Sequence, residues 1–256
     1  MRWRTLITPP ATGAENMALD EVLMQRAGRT GEAVIRVYGW SAPTLSLGRN
    51  QLARGCYDLS RARELGVHFV RRPTGGRAVL HHREVTYSVT APADGLGALG
   101  ESYGRINRLL VDGLRRVGVP AEIAAPVAGA PPPSTAPCFE TPVPGEIIAG
   151  GRKLIGSAQY REHDALLQHG SILVEDDQHL AAVLLVTTAP PPPPPATLRA
   201  LLGRVPSMEE VASALFESFA DAEGAEPAPL ALDEALDEAM RHARRRYDDD
   251  AWTWRR

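Results

Sequence analysis

Three stretches of this chain carry residue types that can do chemistry at the spacing they show. The first, "RRPTGGRAVLHHREVTYSV" at residues 71–89, sets Arg71, Arg72 and Arg77 around the bare pair Gly75 and Gly76. Two successive glycines let backbone N–H groups converge on an anion without side-chain obstruction, and guanidinium forks suit phosphate or carboxylate. The stretch lacks the G-x-x-x-x-G-K-[ST] pattern, which excludes a P-loop. The competing reading is a plain hairpin turn with solvated arginines, and the residues leave both open.

The second stretch is "APCFETP", holding Cys138 after a loop rich in proline and alanine. A free cysteine is commonly a small buried hydrophobe, but loops carry function more often than core positions do. As a nucleophile it needs a cation nearby to keep its thiolate at neutral pH. The third stretch, "GGRKLIGSAQ", offers Lys153 as that cation, fifteen residues on and across a hairpin. The alternative is a surface lysine with its stem laid along the protein. After it, "GSAQ" is small enough for backbone donors at Ser157 to approach a substrate carbonyl. Cys56, in "ARGCYDLS" at an expected helix start, has no comparable setting and reads as structural. His81, His82, His163, His169 and His179 show no metal-ligand spacing. The adjacent His81 and His82 point to opposite faces of a strand, so no metal site is expected.

The elements that must position these residues follow from periodicity. "ENMALDEVLMQRA" predicts an amphipathic helix capped at Asn16. "AVIRVYGW", "PTLSLG", "GVHFVRR" and "RAVLHH" predict short strands. "EVTYSVTAP" alternates as a half-buried strand, Val85, Tyr87 and Val89 against Glu84, Thr86 and Ser88. "ESYGRINRLLVDGLRRVGV" predicts a second helix, with Ile106, Leu109, Leu110, Leu114 and Val117 in one stripe. Residues 128–137 are loop, "GEIIAGGRKLIGSAQ" a hairpin turning at Gly150 and Gly151, and "ALLQHGSILVE" a further strand. Pro190 to Pro195 form an extended surface connector. "SMEEVASALFESFA" opens with the capping-box pair Ser207 and Glu210, and "LDEALDEAMRHARRRY" is a last helix. Helices at both ends with antiparallel hairpins between them predict an α+β fold, a mixed or antiparallel sheet flanked by helices.

Composition narrows the function. The 28 basic and 31 acidic side chains give a net charge of −3, against a general polyanion binder, so no nucleic acid is expected as partner. No run of about 18 apolar residues exists, which argues against a membrane span. "MRWRTLITPP" has no apolar signal-peptide centre, so the cytoplasm is the expected compartment. Two cysteines, neither in a CxxC pair, argue against a disulfide framework.

Five ordered segments together resemble one family. "NMALDEVLM", "PTLSLGRNQ", "RRPTGGRAVLHHREVTYSV", "GRKLIGSAQ" and "LLQHGSILV" are similar to the lipoate-protein ligase and octanoyltransferase superfamily, whose fold is shared with biotin protein ligase. The likeness spans roughly residues 1–180, and "RRRYDDDAWTWRR" resembles a common ending of these proteins. It implies a single catalytic domain over residues 1–256, of the class II synthetase-like type, with the proline run a connector inside it. In the family the arginine–glycine loop lines a tunnel for a medium-length acyl chain. Arg72, Thr74, Gly75, Gly76, Arg77, His81, Gly156, Ser157, Ala158, His169 and Gly170 are then the expected substrate-contacting positions. Lys153 matches the family's one essential lysine, and Cys138 matches the nucleophile of the octanoyltransferase branch typical of Gram-positive bacteria. The pattern departs at His82, where the family carries an aspartate.

What the resemblance implies is octanoyl transfer from acyl carrier protein to a lysine of a lipoyl domain through a Cys138 thioester. Acceptors would be proteins such as the glycine cleavage H protein or 2-oxoacid dehydrogenase E2 subunits. No cofactor is expected, and a monomer is the default. The competing readings are an ATP- and magnesium-dependent lipoate ligase, an octanoyl amidotransferase between lipoyl domains, and a non-catalytic acyl-protein binding module.

Overall fold

The computed structural model describes residues 1–125, 145–187 and 193–256. Its elements are β1 (Arg2–Ile7), α1 (Gly13–Thr30), β2 (Glu32–Tyr38), β3 (Thr44–Leu47), α2 (Leu59–Glu64), β4 (His68–Arg71), β5 (Val79–His81), β6 (Glu84–Pro92) and α3 (Leu99–Arg116). They continue with β7 (Ala121–Ile123), β8 (Ile147–Ala149), β9 (Arg152–Glu162), β10 (Ala165–Leu173), α4 (His179–Val183) and α5 (Leu198–Leu202). The last are α6 (Met208–Glu223), β11 (Ala228–Pro229), α7 (Glu234–Tyr247) and α8 (Asp250–Thr253).

The strands form an eight-stranded mixed sheet in the order β11-β1-β2-β6-β10-β9-β8-β7, and a second, three-stranded sheet ordered β4-β3-β5. This is the α+β class that the alternation predicts. One face of the large sheet, carrying Ile35, Val37, Val85, Tyr87 and Val89, packs on Ile106, Leu110 and Leu114 of α3 and on Val211, Leu215 and Phe219 of α6. The other face meets α1, where Val34 joins Leu19 and Leu23 with Leu6 of β1. The small sheet buries Leu45, Leu47 and Leu80 in a satellite core.

Four expectations need correction. α1 is capped by Thr12, not Asn16: the Thr12 side chain accepts from the Glu15 N–H while the Glu15 carboxylate returns to the Thr12 backbone. Asn16 is instead buried inside the helix and donates to the carbonyls of Ala11 and Gly39. The chain does not begin with a helix but with β1, which runs parallel to β2 and β11. Its partners give no short-range signal, because β11 lies more than 200 residues away. β6 is not half-buried. Both faces are covered, the apolar one by α3 and the polar one by a buried hydrogen-bond network. Cys56 is not at a helix start; it is an exposed free thiol in a turn ahead of α2, whose cap is Asp58.

At α6 the capping reading holds in part. Ser207 accepts from the Glu210 N–H, while the Glu210 carboxylate pairs with Arg204. The Gly150–Gly151 hairpin stands as read, both glycines in the left-handed region at φ 56° and 70°. Of the proline run, Pro193–Pro195 lack regular structure, and against the surface expectation Pro195 is buried while Pro193 and Pro194 are exposed; Pro190–Pro192, like the expected loop 128–137, lie outside the described residues.

Candidate active site

A narrow cavity enclosing about 430 Å³ of atom-free space, part of it open to solvent, lies between the two sheets. The large sheet contributes Tyr38, Thr86, Gly156, Ser157, Ala158, His169, Gly170 and Ser171; the small sheet and its loop contribute Ser46, Arg72, Gly76, Val79 and His81. Met17 of α1 and Trp40 complete the wall, whose accessible surface is mostly apolar. Eight of the expected substrate-contacting residues therefore meet here: Arg72, Gly76, His81, Gly156, Ser157, Ala158, His169 and Gly170. Thr74 and Gly75 sit just behind, in the loop, and Arg77 follows them half-buried.

Small residues make the cavity. A Cβ on Gly170 would lie 2.7 Å from the Gly156 carbonyl and 2.8 Å from both Ser157 Oγ and Tyr87 Cε1. Gly48 is equally constrained, since its Cβ would fall 1.9 Å from the Gly76 carbonyl oxygen. The glycine loop is thus clamped against the β3–α2 connection.

The arginines of the loop do something other than present three free forks to an anion. Arg71 is fully buried and donates to the carbonyls of Thr253, Gly48 and Gln51 at 2.8, 2.6 and 2.9 Å. Burial, then the charges of Arg255 and Arg256, hold it below the usual arginine range. Arg72 donates to the carbonyls of Ser46, Gly75 and Arg77 and to Ser46 Oγ. Arg72 thereby holds the loop from within, while Arg71 ties the segment after β3 to α8. Neither is the solvated arginine of the plain hairpin reading: both are buried and already engaged with backbone carbonyls.

Two histidine relays stand behind the cavity wall. In one, the Asp20 carboxylate faces His169 Nδ1 at 3.0 Å while His169 Nε2 lies 2.7 Å from Thr74 Oγ1. Asp20 also accepts from Arg36, Ser88 and Tyr38. Burial alone would raise the Asp20 carboxyl; the His169 contact and the Arg36 charge outweigh it and leave it below its usual range. Burial likewise pushes His169 down, against the pull of Asp20, so the ring is neutral at pH 7. In the other relay, His81 Nδ1 faces Glu84 Oε1 at 2.8 Å and His81 Nε2 faces Ser46 Oγ at 2.7 Å. Trp40 stacks on that imidazole, ring centroids 4.0 Å apart, and donates to Thr86, which in turn bonds Glu84. Both rings are held in one orientation, which keeps the cavity wall rigid. His82, as expected, points the other way; its Nδ1 lies 3.0 Å from Asp177, so a carboxylate from the β10–α4 connection stands beside it.

Lys153 is buried at the start of β9, three residues before Gly156, and donates to Glu146 at 2.6 Å. It is not itself among the described wall residues of the cavity. It is also the only lysine in the chain; the other 27 of the 28 basic residues are arginine. Arginine and lysine are not interchangeable, and a single lysine kept where an ammonium is enclosed is a chemical choice. Cys138 lies outside the described residues.

Sequence reasoning missed Asp20, Arg36, Ser46, Glu84 and Trp40. For Asp20 a signal existed: Asn16 and Asp20 fall four apart on the apolar stripe of α1, where unpaired polar residues are costly.

The model of the lipoyl protein ligase A/B catalytic domain matches residues 12–220. Curated relatives include the octanoyltransferase LipM of Kyrpidia tusciae, 41% identical with 99% of both chains covered. That of Symbiobacterium thermophilum is 38% identical over 99% of this chain and 98% of its own. Among solved structures, a lipoate-protein ligase A bound with ATP superposes with a TM-score of 0.83 at 22% identity, covering 99% of both chains. At that identity the likeness speaks for the fold alone, which is the fold the motifs implied.

Proposed function

We propose, from the premise that this chain belongs to the lipoyl protein ligase A/B catalytic-domain family, that it is an acyltransferase moving octanoyl groups in lipoate biosynthesis. The donor is octanoyl acyl carrier protein and the acceptor a lysine of a lipoyl domain. The observation that carries this reading is the narrow, mostly apolar cavity lined by Gly156 and Gly170, an environment that suits an acyl chain. The curated relatives, named octanoyltransferases, supply the chain length. One solved relative by fold, from Thermoplasma acidophilum, is described as a bipartite ligase with its E2 lipoyl domain, which supports the class of acceptor.

In the proposed reaction the Cys138 thiolate attacks the carbonyl of the carrier-bound thioester. The carrier's C–S bond breaks, the carrier sulfur leaves as a thiolate that takes a proton from solvent, and an octanoyl-enzyme thioester forms. The neutral ε-amine of the acceptor lysine then attacks, its nitrogen gives one proton to solvent as the amide forms, and Cys138 departs as thiolate. Lys153 stabilises the thiolate and the oxyanion; backbone N–H groups near Gly76 and Ser157 share the second task. The thioester keeps its energy through both steps, so no ATP is consumed. Cys56 is exposed in its turn and absent from the described cavity wall, which supports a structural reading of it; the nucleophile is assigned to Cys138 on its sequence setting.

Intact-mass analysis after mixing with octanoyl acyl carrier protein, without ATP, tests this. An octanoyl adduct on the wild type that is absent from Cys138→Ala is the expected result. Mass gained only when ATP and free acid are supplied would make the chain a ligase.

A further inference from the structure

Four arginines gather beside the glycine loop without a carboxylate partner among the described residues. Arg54 donates to the Trp254 carbonyl at 3.1 Å, and Arg255 donates to the Arg49 carbonyl while lying 3.9 Å from the Trp252 ring centroid. Arg49 lies over Tyr160 at 4.6 Å, and the side chain of Arg256 is exposed. They are brought together by residues 253–256: the N–H groups of Ala53 and Arg54 donate to the main-chain oxygen of Arg256, and buried Arg71 donates to that of Thr253. The same segment reaches the cavity, because the Arg49 N–H donates to the Thr74 carbonyl at 2.8 Å and Gly48 abuts Gly76. Between Arg49 and Arg54 stands Leu52, 74% exposed. Burial, then the charges of Arg49, Arg256 and Arg246, hold Arg255 below the usual arginine range, and Arg71 keeps one guanidinium nitrogen unpartnered beneath the cluster. A chain of net charge −3 thus concentrates four arginines at one edge of its cavity.

We propose that this arginine rim, with Leu52 as its apolar contact, is the docking surface for the acyl donor, an acidic protein that carries its thioester on a phosphate-bearing arm. The inference rests on the reading of the chain as an acyltransferase and names where its donor lands. An acidic surface is attracted to such a rim at a distance, and an arm phosphate gives the planar forks a second anion to grip. A lone exposed leucine ringed by charge supplies the desolvated contact that long-range attraction lacks. The acceptor, whose lysine arrives as an amine, brings no phosphate for these forks.

The test uses the full chain, Arg54→Glu/Arg256→Glu, with Leu52→Ser as a second variant that leaves charge unaltered. Calorimetric Kd for octanoyl acyl carrier protein and KM in the transfer assay should both rise about tenfold or more at low salt in the charge-reversed protein. Transfer from octanoyl-N-acetylcysteamine, a donor with no protein surface, should keep its kcat and KM. Ionic strength of about 0.5 M should erase most of the difference. Leu52→Ser should weaken carrier binding without changing its salt dependence. Unchanged carrier Kd and KM would overturn the proposal, as would a rise confined to the KM of the lipoyl-domain acceptor. A wild type that binds carrier in a salt-dependent way yet never becomes acylated would sink the transferase reading and leave the docking surface standing.

Discussion

Lys153 donates to Glu146 at 2.6 Å across the hairpin turned by Gly150 and Gly151, with both side chains almost wholly buried. An ammonium in that setting is held where it is needed before any substrate arrives. The pair is buried together, so neither side chain is left without its partner. Replacing Lys153 with alanine should lower the rate of acyl-enzyme formation by about 10²–10³-fold, the usual loss for one oxyanion donor. Rapid-quench mass spectrometry measures it. A Lys153→Ala protein acylated at the wild-type rate would remove this residue from the mechanism.

Gly170→Ala places a methyl group against Gly156, Ser157 and Tyr87 at less than 3 Å. Strands β9 and β10 must part, at about 1–3 kcal/mol. A thermal transition lowered by several degrees, with a raised KM for the octanoyl donor, is expected. An unchanged transition would show that the strands give way freely.

Arg36 is buried with Asp20 and also holds Thr8 and the Asn16 side chain. Arg36→Met leaves the Asp20 carboxylate without its cation, which costs about 3–5 kcal/mol in stability. Urea unfolding gives the number. A loss below about 1 kcal/mol would mean that Asp20 takes up a proton in the variant at little cost.

His169 titrates below its ordinary value of 6.5 in the folded chain because it is buried. The unfolded chain therefore binds the extra proton first, and stability is fully present above about pH 6.5 and falls as the pH drops below it. Asp20, held below 3.8, adds a second loss at lower pH with the same sign. Urea midpoints between pH 8 and pH 5 should decline for the wild type and decline less for His169→Gln. Equal slopes would assign the acid sensitivity elsewhere.

Much of this was legible because it is local. The Gly150–Gly151 hairpin, the α3 stripe and the ordered motifs depend on residues a few positions apart, and each stands where periodicity put it. The site's wall was legible through its glycines, which only a close approach requires. What escaped is made at long range. Arg72 reads as a ligand for an anion until Ser46, Gly75 and Arg77 are seen to take its nitrogens. Asp20 meets His169 across 149 positions, and β1 meets β11 across more than two hundred. No pattern within a window of the chain records such meetings. The nucleophile assigned to Cys138 depends on a stretch outside the described residues, and it rests on sequence and chemistry.

The solitary lysine has one more consequence. A catalyst that builds amides on ε-amines works beside its own exterior for its whole lifetime, and any accessible lysine there would be a bystander for misdelivered cargo. Here arginine covers that exterior, and the one ε-amine is folded inward against a carboxylate. Within these 256 residues no second ε-amine competes with that of the acceptor.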